Sequence, residues 1–293
     1  MSKRKDLFRT ITFLNWRDLI GHYRDNSAAW ARWIFRGQRK SAWGLKSSLE
    51  RAALDRFNCK PAHMLEIERG LLRKFEREAH HYLSRLPEPN DFMQWLALMQ
   101  HFGAPTRLLD WSYSFYVAAY FSIERLEPDG TCAIWAFDSD WWRARALRAL
   151  PPEVEAILMQ SDPNAKKPNT VAAILRRAEP LPLVFQLNPY RLNERLVLQQ
   201  GIFVAPADVR TSFMENLNAI ADEEACDHLV KLELRGSHEV LRNAIRELTQ
   251  MNISRATLFP GLDGFATNLK SLISFPETIA TDSPGSDWSP WTD

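Results

Sequence analysis

The segment from Gln100 to Ser112 constrains this chain more than any other stretch. Apolar residues recur from Phe92 onward behind Asp91, which reads as an N-cap, so a helix is expected to run to His101. Gly103 and Pro105 stop it. Residues 106–112 then read as a turn, and residues 113–125, with the small pair Ala118-Ala119, read as a second, buried helix. Thr106, Arg107, Asp110 and Ser112 fall within that turn, around a Leu108-Leu109 pair that must be buried. Arg107 and Asp110 flank the buried pair and are placed for a charge-assisted hydrogen bond beneath the loop, either as a brace or as part of a site. His101 reads in two ways: a cationic cap suited to the helix C-terminal dipole, or a general base or substrate donor.

Two further polar islands stand out. In Phe35-Arg36-Gly37-Gln38 a short strand, Arg32–Gly37, ends in an arginine followed by a glycine. That order gives close backbone access and suits a phosphate or carboxylate ligand; a structural ion pair at Arg36 is the alternative. Gln38 adds donors and an acceptor, and Ser47 and Ser48 lie on the next extended segment, 42–49, with hydroxyls that could reach the same ligand. The third island is Glu194 to Phe203. There Gln199-Gln200-Gly201 sits between two apolar runs, 196–198 and 202–204, both read as strands, and suggests a bulge or tight turn. One glutamine would point into a pocket and the other out, or both would bond to backbone.

The remaining pattern gives the fold class. A strand and an amphipathic helix fill residues 7–30, and the clearest helix spans 61–85, opened by Pro61 and closed by Pro87. Strands are expected at 131–137, 183–187 and 229–234, with helices at 139–178, 237–251 and 262–272. Residues 256–259 precede a turn at Pro260-Gly261. Strands and helices do not alternate strictly, which points to α+β: a helix-rich N-terminal half packed on a mixed or antiparallel sheet. The expected organisation is an N-terminal extension over 1–29, one domain over 30–276 with a weak internal boundary near 161–170, and an acidic Ser/Pro-rich tail over 277–293 that carries Trp288 and Trp291.

Composition excludes several classes. The 293 residues are 45% hydrophobic and 25% charged with a net charge of +1, an ordinary globular balance that argues against a general polyanion binder. The charge is uneven, however: residues 1–51 hold 12 Lys/Arg against 4 Asp/Glu, and residues 208–250 hold 9 Asp/Glu against 5 Lys/Arg. A basic N-terminal face of this kind is either a solvated surface or one that meets phosphates or an acidic partner. Eleven Trp and sixteen Phe supply either a dense core or an aromatic pocket lining. Cys59, Cys132 and Cys226 are odd in number and widely spaced, so neither a disulfide framework nor a zinc site is expected, and a cytoplasmic setting fits. The start is charged with no apolar run behind it, so no signal peptide is expected, nor is any membrane span. Phosphate-binding glycine loops, the GxSxG elbow and the HExxH motif are absent, and His80-His81 share no helix face. No metal is expected.

With these motifs the chain resembles the FRG domain family, named for its Phe-Arg-Gly motif. The resemblance rests on Phe35-Arg36-Gly37-Gln38, Trp43 with Ser47-Ser48-Leu49, Gln100 to Ser112 with Ala118 to Phe121, Arg195 with Gln199 to Phe203, and Ile253 to Gly264, or roughly residues 30–270. It implies a bacterial or phage-associated protein of a toxin or anti-phage defence setting. The order of features is also similar to that of the ADP-ribosyltransferase superfamily, which implies NAD as substrate. On that analogy Arg36 would hold the pyrophosphate and Ser47 or Ser48 would line the nicotinamide or ribose pocket. Gln200, or Gln199, would stand where a catalytic Glu bonds the ribose, with the acidic role moved to Asp110 or Glu194. Gly37, Thr106, Arg107 and Arg195 would complete ligand binding, and His101 would join catalysis. A protein or nucleic-acid target and a regulatory or antitoxin partner would follow. The alternative is a non-catalytic FRG module that senses a nucleotide or a phage component; a metal-assisted nuclease on His101 and Asp110 lacks a second clear carboxylate.

Overall fold

The computed structural model describes residues 7–154, 174–175, 179, 181–188 and 194–274. Among these residues seven strands form one mixed sheet: β1 (Arg9–Phe13), β2 (Trp33–Gln38), β3 (Leu109–Ser112), β4 (Thr131–Asp138), β5 (Val184–Leu187), β6 (Gly201–Pro206) and β7 (Leu229–Arg235). Their order is β1-β7-β4-β2-β3-β6-β5, with β1 parallel to β7 and every other pairing antiparallel. The architecture is α+β, and strands from both halves of the chain interleave within the sheet.

Alternation along the strands builds a core on each face. On one face Phe35, Ile134, Ala136, Val230 and Leu232 pack under the helices Trp16–Asn26, Phe115–Ile123 and His238–Gln250. Farther along the sheet, Phe203, Ala205 and Leu187 meet the helices Met64–Glu78 and Phe92–His101. The other face buries Ile34, Leu109, Trp111, Trp135, Phe137 and Val204, with Trp142 and Phe213 covering them. Tryptophans thus go mainly to the core. Trp43 is exposed.

Several expectations change in the folded chain. The turn read at 106–112 contains a strand, Leu109–Ser112, that lies in the middle of the sheet. Its four residues alternate Leu109 and Trp111 against Asp110 and Ser112, too short a pattern to read without its partners. The apolar run 196–198 is helical, within Glu194–Leu198, because a short apolar stretch has no decisive period. The long helix over 61–85 is an α-helix only over Met64–Glu78, with a 3₁₀ turn on either side. The extended segment 42–49 is irregular to residue 47. There Ser47 caps a helical turn through a capping box with Glu50. Residues 255–258 form one helical turn. The boundary at 161–170 and the tail with Trp288 and Trp291 lie outside the described residues.

Candidate functional site

β2 and β3 lie side by side in the sheet but share a single register pair, Phe35 with Ser112. Beyond it the strands separate. The Asp110 carbonyl, which a continuous ladder would pair with β2 backbone, instead accepts from Arg36 Nη1 at 2.5 Å. A buried carbonyl needs a donor, and the guanidinium supplies it across the split. The four residues of the Phe-Arg-Gly-Gln island therefore have four different tasks. Phe35 is buried and meets Phe115 edge-on at 5.5 Å. Arg36 bridges the split. Gly37 lets the helix Phe115–Ile123 lie against the sheet: a Cβ there would stand 1.9 Å from the Ala118 carbonyl oxygen. Gln38 accepts from Trp135 Nε1 at 2.6 Å and donates to the Gly44 carbonyl at 3.2 Å, tying down the loop that follows.

A cavity of about 230 Å³ opens at this split, lined by Arg36, Asp110, Ser112, Phe121, Arg195 and Gln199, with Gly37 and Ala118 behind them. Asp110 is held by a relay of side chains. Thr106 Oγ1 accepts from the Leu108 N–H at 3.2 Å and donates to Gln100 Oε1 at 2.5 Å; Gln100 Nε2 donates to Asp110 Oδ2 at 3.0 Å. Among the described residues Asp110 Oδ1 accepts no hydrogen bond. Arg195 comes from the helix Glu194–Leu198, and its guanidinium lies 4.4 Å from the centroid of the Phe259 ring. Arg255 stacks on the same ring at 3.5 Å and pairs with Glu124 at 3.0 Å. Arg195 pairs with no carboxylate among the described residues. Gln199 donates from Nε2 to the Leu258 carbonyl at 3.1 Å, and its own carbonyl accepts from Ser112 Oγ at 2.7 Å.

Burial lowers the pKa of both Arg36 and Arg195, and the nearby Asp110 opposes the shift in each. Two guanidiniums and one carboxylate thus share a small cavity, which leaves a positive balance inside it.

The other sequence candidates lie elsewhere. Arg107 is fully buried and pairs in two-pronged fashion with Glu68, not with Asp110: its Nε donates to Glu68 Oε1 at 2.7 Å, Nη2 to Oε2, and Nη1 to the carbonyls of Pro206 and Ala207. It is a brace between the helix Met64–Glu78 and the end of β6. Ser48 and Thr106 exchange bonds, the Ser48 hydroxyl donating to the Thr106 carbonyl at 3.1 Å and accepting from its N–H at 3.0 Å. Ser47 is spent on its cap. Gln200 is exposed, in the left-handed region at φ 47°, and its carbonyl accepts from the Tyr113 N–H at 2.9 Å; it does not line the cavity. His101 is largely exposed and stands edge-on to Phe102; partial desolvation of its ring and the nearby Arg195 cation lower its pKa. It too lies outside the lining.

Some partners escaped the sequence reading. Glu68 carried a visible signal, since Met64, Glu68 and Leu72 fall four residues apart on one buried stripe. Gln100, Phe121 and Phe259 fell within the motifs that carry the family resemblance, but no local pattern assigned them a partner. Among the described residues no group of three or more His, Cys, Asp or Glu could hold a metal ion, and no helix is long and apolar enough to cross a membrane.

No curated protein and no solved structure matches this chain. A model of the FRG domain does match, over residues 31–130, the segment that holds Arg36, Gly37, Gln100, Asp110 and Ser112, and this match supports the FRG family for the chain.

Proposed function

We propose that the cavity between β2 and β3 takes the phosphorylated end of a nucleotide. In this reading the chain is an NAD-consuming effector of the ADP-ribosyltransferase or NAD glycohydrolase kind, acting in a bacterial toxin or anti-phage defence role. The observation that carries the reading is Arg195, a half-buried cation with no carboxylate partner among the described residues, lining the same cavity as Arg36 and the oriented Asp110. A guanidinium so placed suits a phosphate or pyrophosphate oxygen. The cavity is smaller than the ~300–1,000 Å³ of pockets that enclose whole drug-sized ligands. Only part of a dinucleotide fits within it, and the rest would lie across the rim.

Asp110 is the residue on which cleavage would depend. When the bond between the ribose anomeric carbon and the nicotinamide nitrogen breaks, that electron pair leaves with nicotinamide and positive charge develops on the ribose. A fixed carboxylate beside it stabilises that charge. Gln100 holds Oδ2 of Asp110, which leaves Oδ1 for the sugar. Water or an acceptor side chain of a target then supplies the new bond to carbon and gives up its proton.

The second reading is a non-catalytic FRG module that senses a nucleotide or a phage component. It is favoured by the lining, in which Asp110 is the single carboxylate among the described residues. Titration with ADP-ribose and NAD by calorimetry, together with nicotinamide release in the presence of cell lysate, separates the two. Arg195→Ala is expected to weaken binding about 10- to 100-fold, the loss of one charge-assisted hydrogen bond. Asp110→Asn is expected to abolish nicotinamide release while ADP-ribose still binds. Binding without turnover in the unaltered chain selects the sensing module. Absence of binding to NAD and ADP-ribose alike overturns the NAD-consuming reading and leaves the sensing module without a nucleotide ligand.

A further inference from the structure

A second cleft, of about 410 Å³, opens beyond the end of β2, between the loop 39–42 and the segment 125–131. Its charged lining is Arg39, Lys40 and Arg125 against one carboxylate, Glu127. None of the three cations forms an ion pair among the described residues. Exposed cations without a carboxylate partner are ordinary on a surface. Three around a concavity, in a chain whose net charge is only +1, form a local positive field.

The loop also displays an aromatic platform. Trp43 is 43% exposed, Arg39 lies over its ring at 5.0 Å, and Lys40 lies at 5.8 Å. This loop is pinned on several sides. The Ser41 N–H donates to the Thr131 carbonyl at 2.7 Å, and Lys231 Nζ donates to the Ser41 carbonyl at 2.8 Å while it pairs with Glu233 at 2.6 Å. The Trp43 N–H donates to the Lys40 carbonyl at 3.2 Å, and Gln38 Nε2 holds the Gly44 carbonyl. An indole held out toward solvent on a fixed loop loses little entropy when a flat ring stacks on it.

From this placement we infer that the Arg39–Lys40–Trp43 loop and Arg125 form a binding site for single-stranded nucleic acid, with a base stacked on Trp43 and phosphates in the cleft. Base-on-aromatic stacking combined with a cationic groove is how sequence-tolerant single-strand sites are built. An acidic peptide would use the charges and leave the indole idle. A membrane would need several large apolar side chains projecting at the rim, and beside Trp43 the lining offers only the small Ala42 and the buried Leu126. The site is separate from the Arg36 cavity and does not rest on the reading of that cavity.

The test uses the full chain and a fluorescein-labelled oligo-dT strand, read by anisotropy across a salt titration. Three phosphate contacts predict a log K against log salt slope of about −2, at ~0.7 per contact on single strands. Trp43→Ala is expected to weaken binding about 5- to 150-fold at one salt concentration, the range for loss of one stacked base. Arg39→Glu with Lys40→Glu should flatten the slope by at least ~1.4. Arg195→Ala should leave the affinity unchanged. Trp43 is exposed, so its removal should leave the thermal midpoint in place, and the charge-reversed variant gives a second reading that does not involve the indole. Three results would each overturn the inference: no binding at low salt, heparin competing equally well with affinity indifferent to Trp43→Ala, or binding to phosphatidylserine vesicles but not to the strand.

Discussion

At the scale of single residues, two arginines of one family-like pattern do different work, and the difference is who neutralises them. Arg36 answers a backbone carbonyl at a split in the sheet and still borders a cavity. Arg107 is sealed against Glu68 with every nitrogen engaged. Leaving one member of a buried pair unpaired costs about 3–5 kcal/mol. Arg107→Ala is therefore expected to lower the unfolding free energy by that amount in a urea melt, leaving Glu68 buried without its cation. A loss of nucleotide binding with the melt unchanged would instead return Arg107 to the site.

At the scale of elements, the site exists because β2 and β3 meet at one residue pair and then part. The helix Phe115–Ile123 closes over the parting from one side, and it comes close enough only because residue 37 has no Cβ. Gly37→Ala would force the helix or the strand to move. Such overpacking typically costs about 1–3 kcal/mol, and here the obstacle is helix backbone, which yields less readily than a side-chain tip. The expected outcome is destabilisation at or above that range by thermal melt, with ligand affinity reduced as the cavity wall shifts. A melt indistinguishable from that of the unaltered chain would show that the close approach is not required.

At the scale of the whole molecule, the FRG-matching segment does not contain the site it helps to form. Residues 31–130 supply β2, β3, Arg36, Gln100 and Asp110. Arg195 and Gln199 come from beyond it, as do Phe259, which carries the Arg195 cation, and the strands β4 and β6 that flank β2 and β3. A fragment of residues 31–130 would expose both edges of a two-strand remnant. It is expected to show no cooperative unfolding transition by circular dichroism and to aggregate. A cooperative transition in that fragment would mean that the segment is a folding unit in its own right.

The sequence by itself determined the α+β class, most helices, every strand of the sheet except β3, and the residue types of the candidate site. These are local matters of period, capping and turn chemistry: Asp91 as a cap, Gly103 and Pro105 as a stop, the apolar run along β4. That Arg36 and Asp110 belong to one site was an expectation from the family resemblance, and both residues line the same cavity. Only the tertiary structure decided that Leu109–Ser112 is a central strand, that residues 194–198 are helical, that Glu68 rather than Asp110 takes Arg107, and that Gln199 rather than Gln200 lines the cavity. Each of these depends on a partner distant in the chain. Strand register and charge pairing are settled by which surfaces meet, and a local pattern of four or five residues holds no information about a neighbour more than thirty positions away.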